Sequence, residues 1–123
     1  MKYKVFICED EHLELDFLKQ TIEQHLGNNA EIITADNGDS ALNALMDFLP
    51  DLVLMDIHLG NWNGLDLSDR ILEEHPNAKI IIITAYDQFN YAQKAIKTGV
   101  VDYLLKPIAP ETLLGIVDYV IHE

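Results

Sequence analysis

The sequence predicts an α/β fold, a doubly wound parallel sheet of five strands alternating with five helices. Three observations predict it. Five short apolar runs, rich in β-branched residues, recur along the chain. The segments between them carry apolar residues at helical spacing. Several of the strand runs are apolar without a break, which suits strands covered on both faces, as in parallel sheets. Right-handed crossovers then wind helices onto both sides. In such sheets the functional crevice lies at the carboxyl ends of the strands.

The first strand is "YKVFIC" (3–8). "EDEHLELDFLKQTIEQHLG" follows, with Leu15, Leu18, Ile22 and Leu26 at helical spacing and Gly27 at the stop position. "EIITA" (31–35) is the second strand. "DSALNALMDFL" puts Ala41, Leu42, Leu45, Phe48 and Leu49 on one helical face until Pro50 halts it. "LVLM" (52–55) is the third strand. The third helix is predicted from Gly64 to Glu74, with Leu65, Ser68, Ile71 and Leu72 inward, ending near Pro76. "KIIIIT" (79–84) is the fourth strand, and "QFNYAQKAIKTG" the fourth helix, closed by Gly99. "VDYLL" (101–105) is the fifth strand. Pro110 suits the first position of the last helix, which carries Leu113, Leu114, Val117, Val120 and Ile121.

The 123 residues fit one compact domain, 1–123, and 49% apolar residues are enough for a core without disulfides. No run of about 18 apolar residues is present, so no membrane span is expected. The start, "MKYKVFICEDE", has too short an apolar run for a secretory signal. A single cysteine, Cys8, reads as a small core residue; having no partner for a disulfide, it fits a reducing, cytoplasmic setting. Asp and Glu number 21 against 8 Lys and Arg, a formal charge of −13. That argues against this domain gripping nucleic acid or anionic lipid, because phosphate contacts need a basic surface.

The strand ends carry the chemistry. The first ends at Glu9 and Asp10, the third at Asp56 and the fourth at Thr84, while Lys106-Pro107 follows the fifth. Strand two offers nothing obvious. In a parallel sheet these ends share one rim, so three carboxylates, a hydroxyl and an ammonium converge. Clustered carboxylates raise one another's pKa unless a cation sits among them. All-oxygen ligands in an open site suit Mg²⁺. Lys106 adds fixed positive charge, and a phosphoryl group fits between it and the metal. An Asp carboxylate can then act as the nucleophile, since phosphoryl transfer needs mainly positioning and charge neutralisation. Singly, each residue has a plainer reading: a turn or capping Asp, a solvated acidic helix start, an ordinary Lys-Pro turn. Together, at four of five strand ends, they point to one site.

"VFICEDE", "DLVLMDIHLGNWNGLDL", "IIIITAY" and "DYLLKPI" together resemble the receiver domain of bacterial two-component response regulators over essentially the whole chain. The resemblance implies a flavodoxin-like sheet of strand order 2-1-3-4-5. It implies that Asp56 accepts a phosphoryl group from the phosphohistidine of a sensor histidine kinase. Asp10, Asp56 and the backbone carbonyl of His58 would ligate Mg²⁺, with Glu9 holding it through water. Thr84 and Lys106 would contact the phosphoryl oxygens, and Tyr103 would be the aromatic switch residue beside Thr84. The Lys106–Pro107 bond is expected to be cis. Phosphorylation would produce a homodimer through helix four, strand five and helix five, and output would be transcription through an attached DNA-binding domain. "YDQFNYAQKAIKTGVVDYLLKP" resembles receivers of AraC-type regulators, "ICEDE" those of LytTR-type regulators, and the first is favoured. A stand-alone receiver, working by protein contacts or as a phosphorelay intermediate, is the alternative. Such a domain phosphorylates and dephosphorylates itself but is not a turnover enzyme.

Three positions depart from the usual pattern. Glu9 replaces the commoner Asp, changing reach but not charge. Gly60 stands where proline is usual and Trp62 where methionine is common, so a more mobile loop after Asp56 is expected, with Trp62 either packed or at a partner contact. Gly64 keeps its place and preserves the loop length. His12 and His58 are poor candidates for Mg²⁺ through their rings. His58 and Tyr86, two residues beyond Asp56 and Thr84, are expected to flank the water path to the phosphoryl group. Flavin binding conflicts with the acidic loop after strand one. A haloacid-dehalogenase-type phosphatase needs an Asp where His58 stands, and its nucleophile ends the first strand. A degenerate receiver conflicts with the complete acidic set.

Overall fold

A computed structural model describes residues 2–85 and 89–122, with Phe89 described by its backbone alone. Tyr86, expected on the water path, lies outside the described residues. The five strands are β1 (Tyr3–Cys8), β2 (Ala30–Ala35), β3 (Leu52–Met55), β4 (Lys79–Thr84) and β5 (Asp102–Leu105). The helices are α1 (His12–Leu26), α2 (Gly38–Ala44), α3 (Gly64–Glu74), α4 (Phe89–Thr98) and α5 (Pro110–Ile121). All neighbouring strands of the main sheet are parallel, in the order β2-β1-β3-β4-β5, as expected.

Alternation along the strands makes two cores. Phe6, Cys8, Val53, Met55, Ile80 and Ile82 face one side, packed with Leu45, Leu65 and Ala95 of the α2, α3 and α4 side. Val5, Ile7, Leu54, Ile81 and Ile83 face the other, packed with Leu18 and Ile22 of α1 and Leu113 and Val117 of α5. The central strands β1, β3 and β4 are therefore covered on both faces, which is why they read as unbroken apolar runs. The edge strands β2 and β5 are only partly buried.

Side-chain caps fix where three helices begin. Glu11 accepts from the backbone N–H groups of Leu13 and Glu14, Asn37 from Ser40 and Asn63 from Leu65. α2 is shorter than its apolar spacing predicts. After Ala44 the chain tightens into three-residue steps, Met46 N–H to Asn43 O at 3.3 Å and Asp47 N–H to Ala44 O at 3.4 Å. Pro50 disfavours helical backbone at Leu49. Phe48 still reaches the core, but Leu49, expected inward, is 63% exposed.

The loop after Asp56 forms a small hairpin, His58–Leu59 against Trp62–Asn63. Gly60 takes φ +63° at the first of its two turn residues, a backbone that proline cannot adopt. Gly60 thus builds a tight turn. Trp62 is packed: its Nε1–H donates to Asp39 Oδ1 at 2.9 Å, and Arg70 lies 5.6 Å from its ring centre. Gly38 leaves room for the indole, since a Cβ there would stand 2.7 Å from Trp62 Cβ. Among the described residues no helix is long and apolar enough to cross a membrane.

Candidate functional site

The sheet's hydrogen-bond ladder continues one step past the strands, and that step places the site. Glu9 N–H donates to Ala35 O at 3.1 Å, Asp56 N–H to Cys8 O at 3.1 Å and Lys106 N–H to Thr84 O at 2.9 Å. Cys8 is level with Met55, Met55 with Ile82, and Thr84 with Leu105. The side chains that leave these rows emerge together at the carboxyl rim.

Glu9 and Asp56 are buried, and Thr84 is fully so; Asp10 is exposed. One carboxylate oxygen from each of Glu9, Asp10 and Asp56 lies within 4.8 Å of the others. Lys106 Nζ donates to Glu9 Oε1 and to Asp56 Oδ2, the latter at 3.0 Å. Asp56 Oδ1 accepts from the Ile57 N–H at 2.6 Å, and Glu9 Oε2 from the Asp10 N–H at 3.1 Å. The Lys106–Pro107 bond is cis, as expected.

The electrostatics divide the two buried acids. Burial pushes the Glu9 carboxyl up to about 8, helped by its hydrogen bond with Asp56. Burial pushes Asp56 the same way, but hydrogen bonds with Glu9 and Lys106, the Lys106 charge and a Thr84 hydrogen bond together hold it below its ordinary value. Burial works against the Lys106 ammonium, yet its bonds to Glu9 and Asp56 hold its pKa above normal. Burial thus favours the neutral form of Glu9, while the surrounding hydrogen bonds and charge favour the Asp56 anion and the Lys106 cation.

His58 begins the hairpin, two residues past Asp56. Its exposed ring meets Tyr91 of α4 edge-on at 6.0 Å. The His12 ring faces Asp36, with Nε2 3.2 Å from Oδ2. Neither ring joins the carboxylate cluster. Tyr103 is half-buried on β5, packed on the α2–α4 side.

Two neighbours of the site escaped the sequence reading. Gly64 does more than preserve loop length. Its N–H donates to Ile57 O at 2.6 Å, and a Cβ there would overlap the Asp56 carbonyl oxygen and stand 2.8 Å from the carbonyl carbon. Glu14, in the first turn of α1, puts Oε2 3.8 Å from Lys106 Nζ. A glycine shortly after a strand hints at close backbone approach; no sequence signal marks Glu14.

The donor set is all carboxylate oxygen at an open rim, which fits a hard divalent cation such as Mg²⁺. A doubly wound parallel sheet with this acidic cluster and a lysine at its carboxyl edge matches the site that the sequence places at the strand ends. The chain belongs to the response regulator receiver domain family, which matches residues 5–118. It is 36% identical over 121 residues to an uncharacterized response regulatory protein of Staphylococcus epidermidis, covering 98% of this chain and 47% of that protein. It is 39% identical over 106 residues to the transcriptional regulatory protein HptR of Staphylococcus aureus, covering 86% of this chain and 41% of that one. The chain thus spans less than half the length of these relatives. A response regulator structure from Burkholderia pseudomallei, with a phosphorylated aspartic acid and a calcium ion, superposes with a TM-score of 0.84 at 27% identity, covering 93% of this chain and 65% of that one.

Proposed function

We propose that this receiver domain takes a phosphoryl group from the phosphohistidine of a sensor histidine kinase onto Asp56, and that the modified state controls transcription through a DNA-binding segment of a longer protein. The convergence of Glu9, Asp10, Asp56 and Lys106 from separate strand ends carries the reading. An Asp56 carboxylate oxygen attacks phosphorus, a P–O bond forms and the P–N bond to the donor imidazole breaks. Asp56 is suited to this because it stays ionised while buried. Asp10, Asp56 and the His58 carbonyl would hold Mg²⁺, with Glu9 acting through water; the cation would neutralise charge on the transferred group. Lys106 supplies a fixed positive charge beside Asp56 Oδ2, and the Thr84 hydroxyl lies at the same rim for a phosphoryl oxygen. The domain transfers the group to and from itself, without turnover of a separate substrate. Its net charge of −13 supports the reading that DNA contact is made by another segment, because phosphate contacts need a basic surface.

With acetyl phosphate and Mg²⁺, the intact mass should rise by one phosphoryl group in the wild type and not in Asp56→Asn. A persistent adduct in that variant would sink the assignment.

The output step follows from Thr84 and Tyr103, which stand on neighbouring strands with Ile82 opposite Tyr103. Drawing the Thr84 hydroxyl toward the phosphoryl group frees space into which the Tyr103 ring rotates. That biases a two-state surface on α4, β5 and α5. The surface carries exposed Ile96, Val101, Leu105 and Tyr119, apolar area that a symmetric dimer would cover. Sedimentation with Mg²⁺ and beryllofluoride, which mimics the phosphoryl group, should show a dimer for the wild type and much less for Thr84→Ala. Equal dimerisation in both would refute the coupling. A wild type that binds beryllofluoride yet stays monomeric at high concentration would refute the dimer.

A further inference from the structure

Among the described residues Lys106 has three carboxylate neighbours, and they are not equivalent. Glu9 and Asp56 belong to the cluster that faces the cation position, and both are buried. Glu14 lies outside that cluster, with a side chain 36% exposed, and approaches the ammonium from the α1 side at 3.8 Å. The cap on α1 helps to hold it there, because the Glu14 N–H donates to Glu11 Oε2 at 3.3 Å and ties down the first turn.

We propose that Glu14 is a positioning residue for Lys106: it holds the ammonium toward α1 and so competes with a phosphoryl group on Asp56 for the same cation. The inference rests on the reading of Asp56 as phosphoacceptor. Glu9 and Asp56 would turn to a cation held in the cluster and would then hold Lys106 less firmly. Among the described residues, Glu14 is then the carboxylate left to compete with the phosphoryl oxygens. At 3.8 Å and partly in water its hold is weak, so it moderates phosphoryl binding without blocking it. Glu14 thereby sets how firmly the domain retains the activated state.

The test is titration of the whole 123-residue chain with beryllofluoride at saturating Mg²⁺, followed by the fluorescence of its single tryptophan, Trp62, and by calorimetry. Glu14→Gln removes the charge and keeps the shape. Glu14→Asp keeps the charge but shortens the arm, so its carboxylate no longer reaches Lys106. Both variants should bind about fivefold more tightly than wild type, equivalent to ~1 kcal/mol. Tighter binding in Glu14→Gln with wild-type affinity in Glu14→Asp would reduce the effect to a general field of charge and overturn the positioning role. Unchanged affinity in both variants, with normal binding by the wild type, would overturn this inference alone. A wild type that takes up no beryllofluoride would overturn the phosphoacceptor reading as well.

Discussion

Gly64→Ala is expected to reduce labelling of Asp56 by acetyl phosphate more than tenfold and to destabilise the fold by about 2–4 kcal/mol. The obstacle is backbone, not a flexible side chain. A Cβ at position 64 would overlap the Asp56 carbonyl oxygen and stand 2.9 Å from Ile57 Cα. Relief requires moving α3 away from the strand end or turning the Asp56–Ile57 peptide. The first breaks the 2.6 Å bond from Gly64 N–H to Ile57 O. The second redirects the Ile57 N–H that Asp56 Oδ1 accepts, and with it the nucleophile. Gly115→Ala is the matched control. Position 115 is within α5 with nothing within 4 Å of an added Cβ, so alanine there should leave labelling intact and stabilise slightly, by up to about 1 kcal/mol. Denaturant melts and intact-mass labelling of both variants check this. Normal labelling with an unchanged midpoint in Gly64→Ala would show that the close approach does not matter.

The parts of the molecule legible in its sequence are those set by local pattern. The unbroken apolar runs of β1, β3 and β4 announce burial on two faces, and the residue ending each run is placed by the parallel ladder. The convergence of Glu9, Asp10, Asp56, Thr84 and Lys106 on one rim was therefore legible in the strand ends. Edges and ends were harder. Leu49 keeps helical spacing in the sequence, but the helix stops at Ala44 because tighter turns and Pro50 intervene. Contacts between distant segments left no trace. Nothing in "HLGNWNGLD" shows that Trp62 rests on Gly38 and bonds Asp39, or that Gly60 makes the corner of a hairpin. Glu14 is one acid among several at the start of α1, and only the fold shows that it faces Lys106.

In the absence of divalent cations, the domain is expected to lose stability as pH rises from about 4.5 to 8, and Glu9→Gln is expected to abolish most of that slope. The sign follows from proton counts. The Glu9 carboxyl is raised from 4.5 to about 8 by burial and by Asp56. Below 4.5 it is protonated in folded and unfolded chains alike, and its full contribution is present. Between 4.5 and 8 the unfolded chain releases the proton while the folded chain keeps it, so the contribution is progressively lost. The loss is on the order of a few kcal/mol, because the carboxyl is almost fully buried. Asp56 works in the opposite sense and in a separate window. Its carboxyl is held below the ordinary value of 3.8, so its contribution is present above that pH and disappears as acid titrates the folded carboxylate. Glutamine at position 9 cannot release the proton, so the slope above 4.5 should flatten while the acid limb remains. Mg²⁺ should reverse the trend in the wild type. A cation favours the Glu9 anion, so its uptake at pH 7 releases a proton and its affinity rises until about pH 8. Urea melts from pH 4 to pH 9, with chelator and with Mg²⁺, test both statements. Wild-type and Glu9→Gln curves of the same slope in chelator would show that Glu9 does not hold the proton in the folded domain.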